Sequence, residues 1–328
     1  ENGFYIPIST PFELIGDGID ENSDQLTYCW EQYNTGPSID LGTPAGSTPI
    51  FRSFPPTTEP TRVFPRMFNI LNNRNDVTEV LPTYTRNLTF RLTVRDNNVE
   101  AGSVDWKNLS FEVTEQAGPF LVEFPNRSRD SVHVGDFTEI RWDVAGTNTG
   151  RVNCQKVNVL LSTNGGQTFP HVLLANTPND GVQSVTIPNL LTNRARIRVE
   201  AADNIFFDLS NQNFAILPPL KAGFSLATSI QEQQVCLPAS ISIDVSILSL
   251  LSFDQPITIT VPTATTTGLD LDIDKPTINP GETAQVNLTF APDFNAWYSP
   301  ALSSNRKSLL NQNRVVFFIF SFSHCEVV

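Results

Sequence analysis

The sequence predicts an all-β chain of three tandem immunoglobulin-like β-sandwich domains. Apolar and polar residues alternate in many short runs, which is the period of a half-buried strand, and turn residues separate these runs. Phe, Pro and Gly are plentiful, with 23, 24 and 17 residues, and no window shows a sustained helical period that ends in capping residues. The length of 328 residues exceeds that of one sandwich and suits three domains of roughly 100 residues each.

The first predicted domain covers residues 1–116. A strand near Phe12 is followed by an acidic loop and by a second strand, in which Tyr28 and Trp30 should share a buried face. The clearest strand of the domain has four alternating apolar residues: Leu88, Phe90, Leu92 and Val94. Between these strands, residues 34–84 are rich in Pro, Thr and Asn, which predicts a long insertion packed over one side of the domain.

The second predicted domain covers residues 117–217 and holds the most regular strand patterns of the chain. A strand around Val159 is followed by Asn164-Gly165-Gly166, which supplies the positive-φ residues of a tight hairpin. A later strand alternates between an apolar face and a charged face, and the charged residues are Arg194, Arg196, Arg198 and Glu200. We interpret this charged face as solvated, with binding of a polyanion as the weaker alternative in an acidic protein.

The third predicted domain covers residues 218–328 and begins after Pro218-Pro219, a stiff linker. Its final strand pattern, residues 315–322, is so apolar that we expect both faces to be covered. The cover is either the loop with Trp297 and Tyr298, with a disulfide between Cys236 and Cys325, or a neighbouring molecule into which the strand inserts. The closed single-chain arrangement is the preferred one of the two.

Charge and composition exclude several functions. The net charge of −13 repels phosphate backbones, so nucleic-acid binding is not expected. The longest apolar run is far shorter than the roughly 20 residues that span a bilayer, which predicts no membrane span. The chain opens at Glu1 without a signal-peptide pattern, and we therefore expect a mature or excised piece.

A cluster of oxygen-bearing side chains in the first domain is a candidate metal site. Asp20, Asn22 and Asp24 alternate in one loop, and Asp96 follows the clearest strand. Hard oxygen ligands at one end of a sandwich are typical of a calcium site, and calcium is therefore the expected cofactor. The loop is similar to the Asp-x-Asp-Gly-Asp loop of polycystic-kidney-disease-like and cadherin-like modules, with Ser23 in place of Gly. A solvated polar loop without an ion is the alternative interpretation.

The other motifs indicate structure or modification more than chemistry. Residues 162–169 resemble the Asp-box hairpin of β-propellers, which is a turn device. Four acceptor sequons are glycosylation candidates in a source that glycosylates: Asn87, Asn108, Asn126 and Asn287. Three isolated histidines, His133, His171 and His324, do not form the converging ligand set that zinc needs, and no nucleophile elbow or catalytic triad is predicted.

Several segments also resemble a known family. Residues 8–32, with Leu-Thr-Tyr-Cys-Trp-Glu-Gln, and residues 140–146, with Ile-Arg-Trp-Asp-Val-Ala-Gly, are similar to the domains that follow the catalytic domain in secreted bacterial reprolysin-like zinc metalloproteases. The resemblance covers about residues 8–216 and fails in the C-terminal tail. It implies polycystic-kidney-disease-like or cadherin-like and immunoglobulin-like modules outside the catalytic domain, because no HExxH motif is present in this sequence.

Two functional hypotheses follow, with a third that is weaker. The first is a non-catalytic extracellular accessory region of a secreted or cell-surface protein, associated with a metalloprotease, that binds or positions a protein or glycan target or spaces modules. The second is a structural subunit that joins copies of itself into a surface fibre or adhesin. A cryptic hydrolase, whose paired carboxylates cannot be located from spacing in an all-β chain, is the third.

Overall fold

A computed structural model describes residues 3–229, 239–259 and 269–291. Strands make up nearly all of the regular secondary structure in these ranges, with one helix of five residues, which confirms the predicted all-β class. The chain divides into two compact units, one of Glu1–Val132 with Phe137–Leu217 and one of His133–Asp136 with Pro218–Val328. The first unit contains two sandwiches, so the boundary predicted at residues 117–119 lies inside a compact body.

The first sandwich consists of a four-stranded sheet packed on a two-stranded sheet. In spatial order the larger sheet contains β1 (Tyr5–Pro7), β6 (Val104–Thr114), β5 (Arg86–Arg95) and β3 (Thr27–Gln32). The smaller sheet pairs β2 (Phe12–Ile15) with β4 (Thr61–Phe64). Strand β1 runs parallel to β6, and the other pairings are antiparallel.

Phenylalanine rings from both sheets fill the core of this sandwich. Five rings are nearly inaccessible and contact one another: Phe12, Phe51, Phe64, Phe90 and Phe111. The rings of Phe12 and Phe64 stack with their centroids 5.0 Å apart. Because each buried aromatic side chain removes a large apolar area from water, this cluster stabilises the sandwich.

The Pro-rich stretch of residues 34–84 is more than an insertion over one side. It contributes β4, which pairs with β2 in the two-stranded sheet, and the short helix α1 (Met67–Leu71). The buried carboxylate of Glu79 fixes this stretch, since it pairs with Arg62 at 2.9 Å and with Arg66 at 3.2 Å. The expectation of a loop insertion was therefore incomplete, because a four-residue strand among turn residues carries too little alternation to be recognised.

The second sandwich packs a three-stranded sheet against a sheet of six strands. The smaller sheet has the order β12 (Val182–Thr186), β9 (Phe137–Asp143) and β7 (Leu121–Phe124). The larger sheet has the order β11 (His171–Pro178), β10 (Lys156–Ser162), β13 (Thr192–Ala201), β15 (Phe214–Leu217) and β8 (Ser131–His133), with β14 (Phe207–Leu209) also paired to β13. This two-sheet arrangement is immunoglobulin-like, as predicted.

Backbone hydrogen bonds join the two sandwiches of the first unit. The amide of Glu13 donates to the carbonyl oxygen of Ile205 at 2.9 Å, and the amide of Phe207 donates to Pro11 at 3.0 Å. The predicted boundary is also packed, since the amide of Phe120 donates to the buried hydroxyl of Thr10 at 3.0 Å. These bonds extend a strand of one sandwich onto the other, which limits independent movement of the two.

The second unit contains a four-stranded and a two-stranded sheet among its described residues. The larger sheet has the order β16 (Gly223–Thr228), β17 (Ala239–Leu250), β21 (Thr283–Phe290) and β19 (Leu269–Ile273), and the smaller pairs β18 (Ile257–Thr258) with β20 (Thr277–Ile278). The predicted alternations of β17 and β21 are confirmed by burial of Ile243, Val245, Val286 and Leu288. Residues 315–322, Trp297, Tyr298 and the disulfide candidates Cys236 and Cys325 lie outside the described residues.

Candidate functional site

Three of the four predicted metal ligands come together at one end of the first sandwich. Carboxylate oxygens of Asp20, Asp24 and Asp96 all lie within 4.8 Å of one another. Asp20 and Asp24 belong to the loop between β2 and β3, whereas Asp96 directly follows β5. The antiparallel pairing of β3 with β5, which sets Thr27 opposite Arg95, brings the two loops to the same edge.

The loop that carries Asp20 and Asp24 is folded around its first carboxylate. Oδ1 of Asp20 accepts hydrogen bonds from the backbone amides of Asn22 at 3.0 Å and Asp24 at 2.8 Å. Ser23 has a φ of +63°, in the left-handed region that glycine adopts at lower cost. Ser23 therefore occupies the position at which the similar loops carry Gly. The side chain of Asn22, the fourth predicted ligand, is exposed on this loop.

Asp96 is held by the turn between β5 and β6. Its two carboxylate oxygens accept the backbone amide of Ser103, both at 2.9 Å, and Oδ2 also accepts the Ser103 hydroxyl. Hydrogen bonds from the amide and hydroxyl of Ser103 lower the pKa of Asp96 below its usual value, so the group is anionic at neutral pH. Asn98 joins the two loops, because its Nδ2 donates to Oδ2 of Asp24 at 2.9 Å.

The chemistry of this carboxylate group fits a hard cation. Three anionic groups from two loops converge, and carboxylate oxygens are the ligands that calcium prefers. Oδ2 of Asp24 accepts one hydrogen bond and keeps a further lone pair for an ion, whereas Oδ1 of Asp20 and both oxygens of Asp96 each accept two. The three carboxylates are therefore of the ligand type that calcium takes, and Asn22 lies between Asp20 and Asp24 in the same loop.

A second feature, which the sequence did not reveal, lies on the outer face of the four-stranded sheet. The guanidinium of Arg91 is clamped between the rings of Tyr33 and Trp106, with its carbon 3.7 Å and 3.9 Å from the two ring centroids. Arg91 Nε also donates to Oδ1 of Asn108 at 3.0 Å. The aromatic side chains are accessible, with Tyr33 51% and Trp106 54% exposed. This stacked trio forms a fixed ladder of two aromatic rings and one cation.

Strand register explains why the trio assembles and which residues surround it. Arg91 on β5 lies opposite Glu31 on β3 and opposite Asn108 on β6. The amide of Tyr33, which follows β3, donates to the carbonyl of Thr89 at 2.7 Å and fixes the tyrosine backbone on β5. We use the name ladder face for the surface formed by these side chains and their strand neighbours: Glu31, Tyr33, Thr89, Arg91, Trp106, Asn108 and Ser110.

The charged stripe of β13 has a different role from either predicted interpretation. Arg196 is only 7% exposed, and its guanidinium donates to Asn213 at 2.8 Å, to the carbonyl of Ser210 at 3.0 Å and to the carbonyl of Leu71 at 2.9 Å. Arg198 forms ion pairs with Glu13 and Glu200 and lies over the ring of Phe207. Two of the three arginines thus hold the sandwiches together. The prediction of a solvated face was wrong for both, because the first sandwich covers this face.

The Asp-box-like hairpin is structural, as predicted. The hydroxyl of Ser162 accepts the amide of Gly166 at 2.9 Å, and Oδ1 of Asn164 accepts the amide of Thr168 at 3.1 Å. Gly165 and Gly166 have φ values of +85° and +87°. The polar side chains of the motif are therefore used to close the turn between β10 and β11.

The remaining predicted site residues are dispersed. Asn87 and Asn108 are exposed on β5 and β6, whereas Oδ1 of Asn126 accepts the amide of Asn211, and Oδ1 of Asn287 accepts the hydroxyl of Ser242. His324 lies outside the described residues. Within the described ranges, the carboxylates Asp20, Asp24 and Asp96 form the group that could hold a metal, and no helix there is long and apolar enough to cross a membrane.

Comparisons with known proteins leave the family of the chain unassigned. No protein-family model matches the sequence, and no curated protein matches it. Among solved structures, the eight N-terminal immunoglobulin domains of the Down syndrome cell adhesion molecule align with 88% of this chain at 9% identity and a TM-score of 0.19. The chain covers 36% of that structure.

Two further solved structures align with this chain at similarly low sequence identity and TM-score. A tandem from titin aligns with 88% of this chain, which covers 87% of that structure, at 10% identity and a TM-score of 0.20. Domains 1–6 of the surface-layer protein SbsC align with 88% of this chain, which covers 50% of that structure, at 8% identity and a TM-score of 0.16. TM-scores this low carry no argument about function, which has to be inferred from the chain itself.

Proposed function

We propose that this chain is a non-catalytic extracellular binding region whose target-binding surface is the ladder face. The observation that carries the proposal is the exposure of Tyr33 and Trp106 at fixed positions on either side of Arg91. Exposed aromatic rings cost free energy in water, and Trp, Tyr and Arg are the residues that dominate binding energy at recognition surfaces. A surface that combines all three is suited to recognition.

The ladder is also pre-organised for binding. Arg91 is fixed by two rings and by Asn108, while the backbone of Tyr33 is bonded to Thr89. Side chains that are already ordered lose little conformational entropy when a ligand arrives, so more of the contact energy appears as affinity. Backbone hydrogen bonds and a buried arginine between the two sandwiches hold the first sandwich, and with it this surface, in place.

The chain is proposed to act as an accessory to an enzyme that it does not itself contain. The order of the segments in residues 8–216 resembles domains that follow the catalytic domain in reprolysin-like metalloproteases, and the sequence has no HExxH motif. A binding region of this kind would hold the target near a catalytic domain. Sequencing the reading frame around this chain tests the association, and a frame without a metalloprotease domain contradicts it.

Calcium is the proposed cofactor of the loops next to the ladder face. Asp96 precedes the turn that leads into β6, and Trp106 lies three residues beyond Ser103, which binds Asp96. An ion shared by Asp20, Asp24 and Asp96 would tie this hairpin to the loop before β3 and stabilise the ladder. Binding to the native state alone contributes about 2.7 kcal/mol at a hundredfold excess over Kd.

Melting curves in calcium and in chelator test this cofactor. We expect a higher melting temperature of the first unit in calcium, and loss of that difference in Asp96→Asn. Asp105→Asn on the neighbouring strand is the matched control, since Asp105 is exposed and is not one of the three clustered carboxylates. Identical curves for the native chain in the two buffers contradict the cofactor.

Binding to extracellular material from the source tests the proposed function. The native chain should be retained on immobilised surface or matrix extract, and Trp106→Ala should reduce retention by at least about tenfold, which corresponds to about 1.4 kcal/mol. The control is Phe68→Ala, because Phe68 is an aromatic residue on α1 that is 62% exposed, slightly more than Trp106 at 54%. Equal retention of both variants and the native chain rules out the ladder face.

A further inference from the structure

From the ladder face we infer that the ligand is a neutral oligosaccharide, whose sugar rings lie against the outer faces of Trp106 and Tyr33. This inference rests on the proposed function, because it names the class of target for the same surface. It depends on three properties of the face: the geometry of the rings, the chemistry of the neighbouring polar groups and the way in which neighbouring groups occupy the charged guanidinium of Arg91.

The geometry of the rings leaves two flat apolar areas for a ligand. Arg91 occupies the space between the rings, so one face of each ring is already covered. The remaining exposure of Tyr33 and Trp106, about half of each side chain, is directed to solvent. A pyranose ring presents a face of C–H groups of similar size to an aromatic ring, and its burial against such a ring removes apolar area from water on both sides.

The polar groups around the rings are those that bind hydroxyls. Glu31 supplies carboxylate acceptors, Asn108 supplies the Nδ2 donors of an amide whose Oδ1 accepts from Arg91, and Thr89 and Ser110 supply hydroxyls that hydrogen-bond to each other at 3.0 Å. A sugar carries donors and acceptors around its whole edge, and these groups can pair with them directly or through water. Few ligands other than carbohydrate combine an apolar ring face with a hydroxylated edge.

The same composition does not favour a protein as the main partner. A stable protein interface has a desolvated core within about 800 Å² on each side, and charged groups are depleted there. On the ladder face the two aromatic residues are separated by a guanidinium and bordered by Glu31, Thr89 and Asn108. The apolar area is thus divided into two patches, each the size of one sugar ring.

The charge of Arg91 does not select an anionic sugar. Its guanidinium is stacked between the two rings, its Nε already donates to Asn108 at 3.0 Å, and Glu31 lies opposite it on β3, so an anion at its remaining N–H groups would also face a carboxylate. The net charge of −13 adds long-range repulsion for sulfated or uronic-acid chains. A neutral oligosaccharide is therefore the ligand class that the face accommodates without an electrostatic penalty.

The experiment uses the full chain produced without N-glycosylation, so that the sequon at Asn108 carries no sugar. The probes are an immobilised panel of neutral hexose and N-acetylhexosamine hexasaccharides, with sulfated and uronic-acid chains alongside. We expect binding to at least one neutral hexasaccharide and a loss of at least about tenfold in affinity, measured by calorimetry, for Trp106→Ala and Tyr33→Ala. Trp106→Phe should retain part of the affinity, and Phe68→Ala should retain all of it.

The outcomes separate this inference from the proposed function. Binding to sulfated or uronic-acid chains alone overturns the neutral ligand. A protein target is identified if retention on extracellular extract depends on Trp106 but survives enzymatic removal of all glycans. In that case the inference falls while the proposed function stands. If no probe or extract shows binding that depends on Trp106, both fall. Circular dichroism melts of each variant establish that a loss of binding does not come from unfolding.

Discussion

The guanidinium of Arg196 donates a hydrogen bond of 2.9 Å to the carbonyl oxygen of Leu71, which lies 125 residues away in the chain. Leu71 is the last residue of α1 in the first sandwich, and Arg196 lies on the central strand β13 of the second. Arg196 on the sheet of the second sandwich therefore supplies a donor to a backbone carbonyl at the C-terminal end of a helix in the first sandwich. The bond makes the two sandwiches interdependent.

Replacement of Arg196 by Ala should destabilise the first unit by about 2–4 kcal/mol, because acceptors at Leu71, Ser210 and Asn213 lose their donors where water has little access. Urea unfolding followed by circular dichroism measures the change. Arg194→Ala is the matched control, since the guanidinium of this exposed arginine on the same strand donates to the carbonyl of Asn164, and its loss should shift stability by less than about 1 kcal/mol. Equal shifts for the two variants contradict the assigned role.

Gly118 should be intolerant of a side chain. Its φ is +101°, and a Cβ atom there would lie 2.5 Å from the carbonyl oxygen of Ile8 and 2.8 Å from Cβ of Pro7. Gly118→Ala should cost about 2–4 kcal/mol from backbone strain and overpacking together. Gly46→Ala supplies the comparison, because Gly46 has a φ of +53° with no atom near the added Cβ, and its cost should stay near 1 kcal/mol. If Gly118→Ala costs no more than Gly46→Ala in urea unfolding, the close packing of Gly118 against Ile8 and Pro7 is contradicted.

Asp208 should make the first unit less stable as pH rises towards neutrality. Burial raises the pKa of this carboxyl to about 7, even though the amides of Val122 and Leu209 donate to it. Between the ordinary value near 4 and about pH 7 the folded state holds a proton that the unfolded state has lost, so the free energy of unfolding falls with pH by on the order of 4 kcal/mol.

Asp208→Asn should flatten this slope, because Asn has the shape of the protonated acid and does not titrate. Urea unfolding at pH 4.5, 6 and 8 gives the difference between the variant and the native chain. Asp76, whose pKa is lowered to about 2 by bonds from Thr78, loses its contribution only below this range and does not obscure the comparison. Parallel pH profiles for the two proteins contradict the buried titration.

Cys154 should resist alkylation in the folded state. The thiol is buried, and desolvation, followed by the negative charge of Asp203, raises its pKa to about 12. At pH 8 the thiolate population is then about a thousandfold lower than that of an ordinary cysteine. Cys29 is also buried with a raised pKa and should behave similarly. Iodoacetamide labelling with peptide mapping, in buffer and in urea, measures both sites, and rapid labelling in buffer alone contradicts the burial.

The sequence by itself determined the strands and the loops of the candidate metal site. Alternation with a period of two placed Val159, Ile197 and Val245 in cores, since one face of each strand has to leave water. The spacing of Asp20 and Asp24, with Asp96 after the next long strand, was enough to predict that these carboxylates converge, because antiparallel partners bring their ends together. Whether calcium occupies them remains a prediction.

Only the tertiary structure decided what the outward-facing residues do. Arg196 and Arg198 alternate with apolar residues as a solvated stripe would, yet the first sandwich covers them. The alternation of residues within one strand does not predict which segment, here 125 residues away, packs against its polar face. Tyr33, Arg91 and Trp106 come from three segments, and a shift of one residue in register would have moved them to opposite faces. Local sequence sets the direction of each side chain within its own strand, whereas partners across the fold depend on register and packing that no single segment contains.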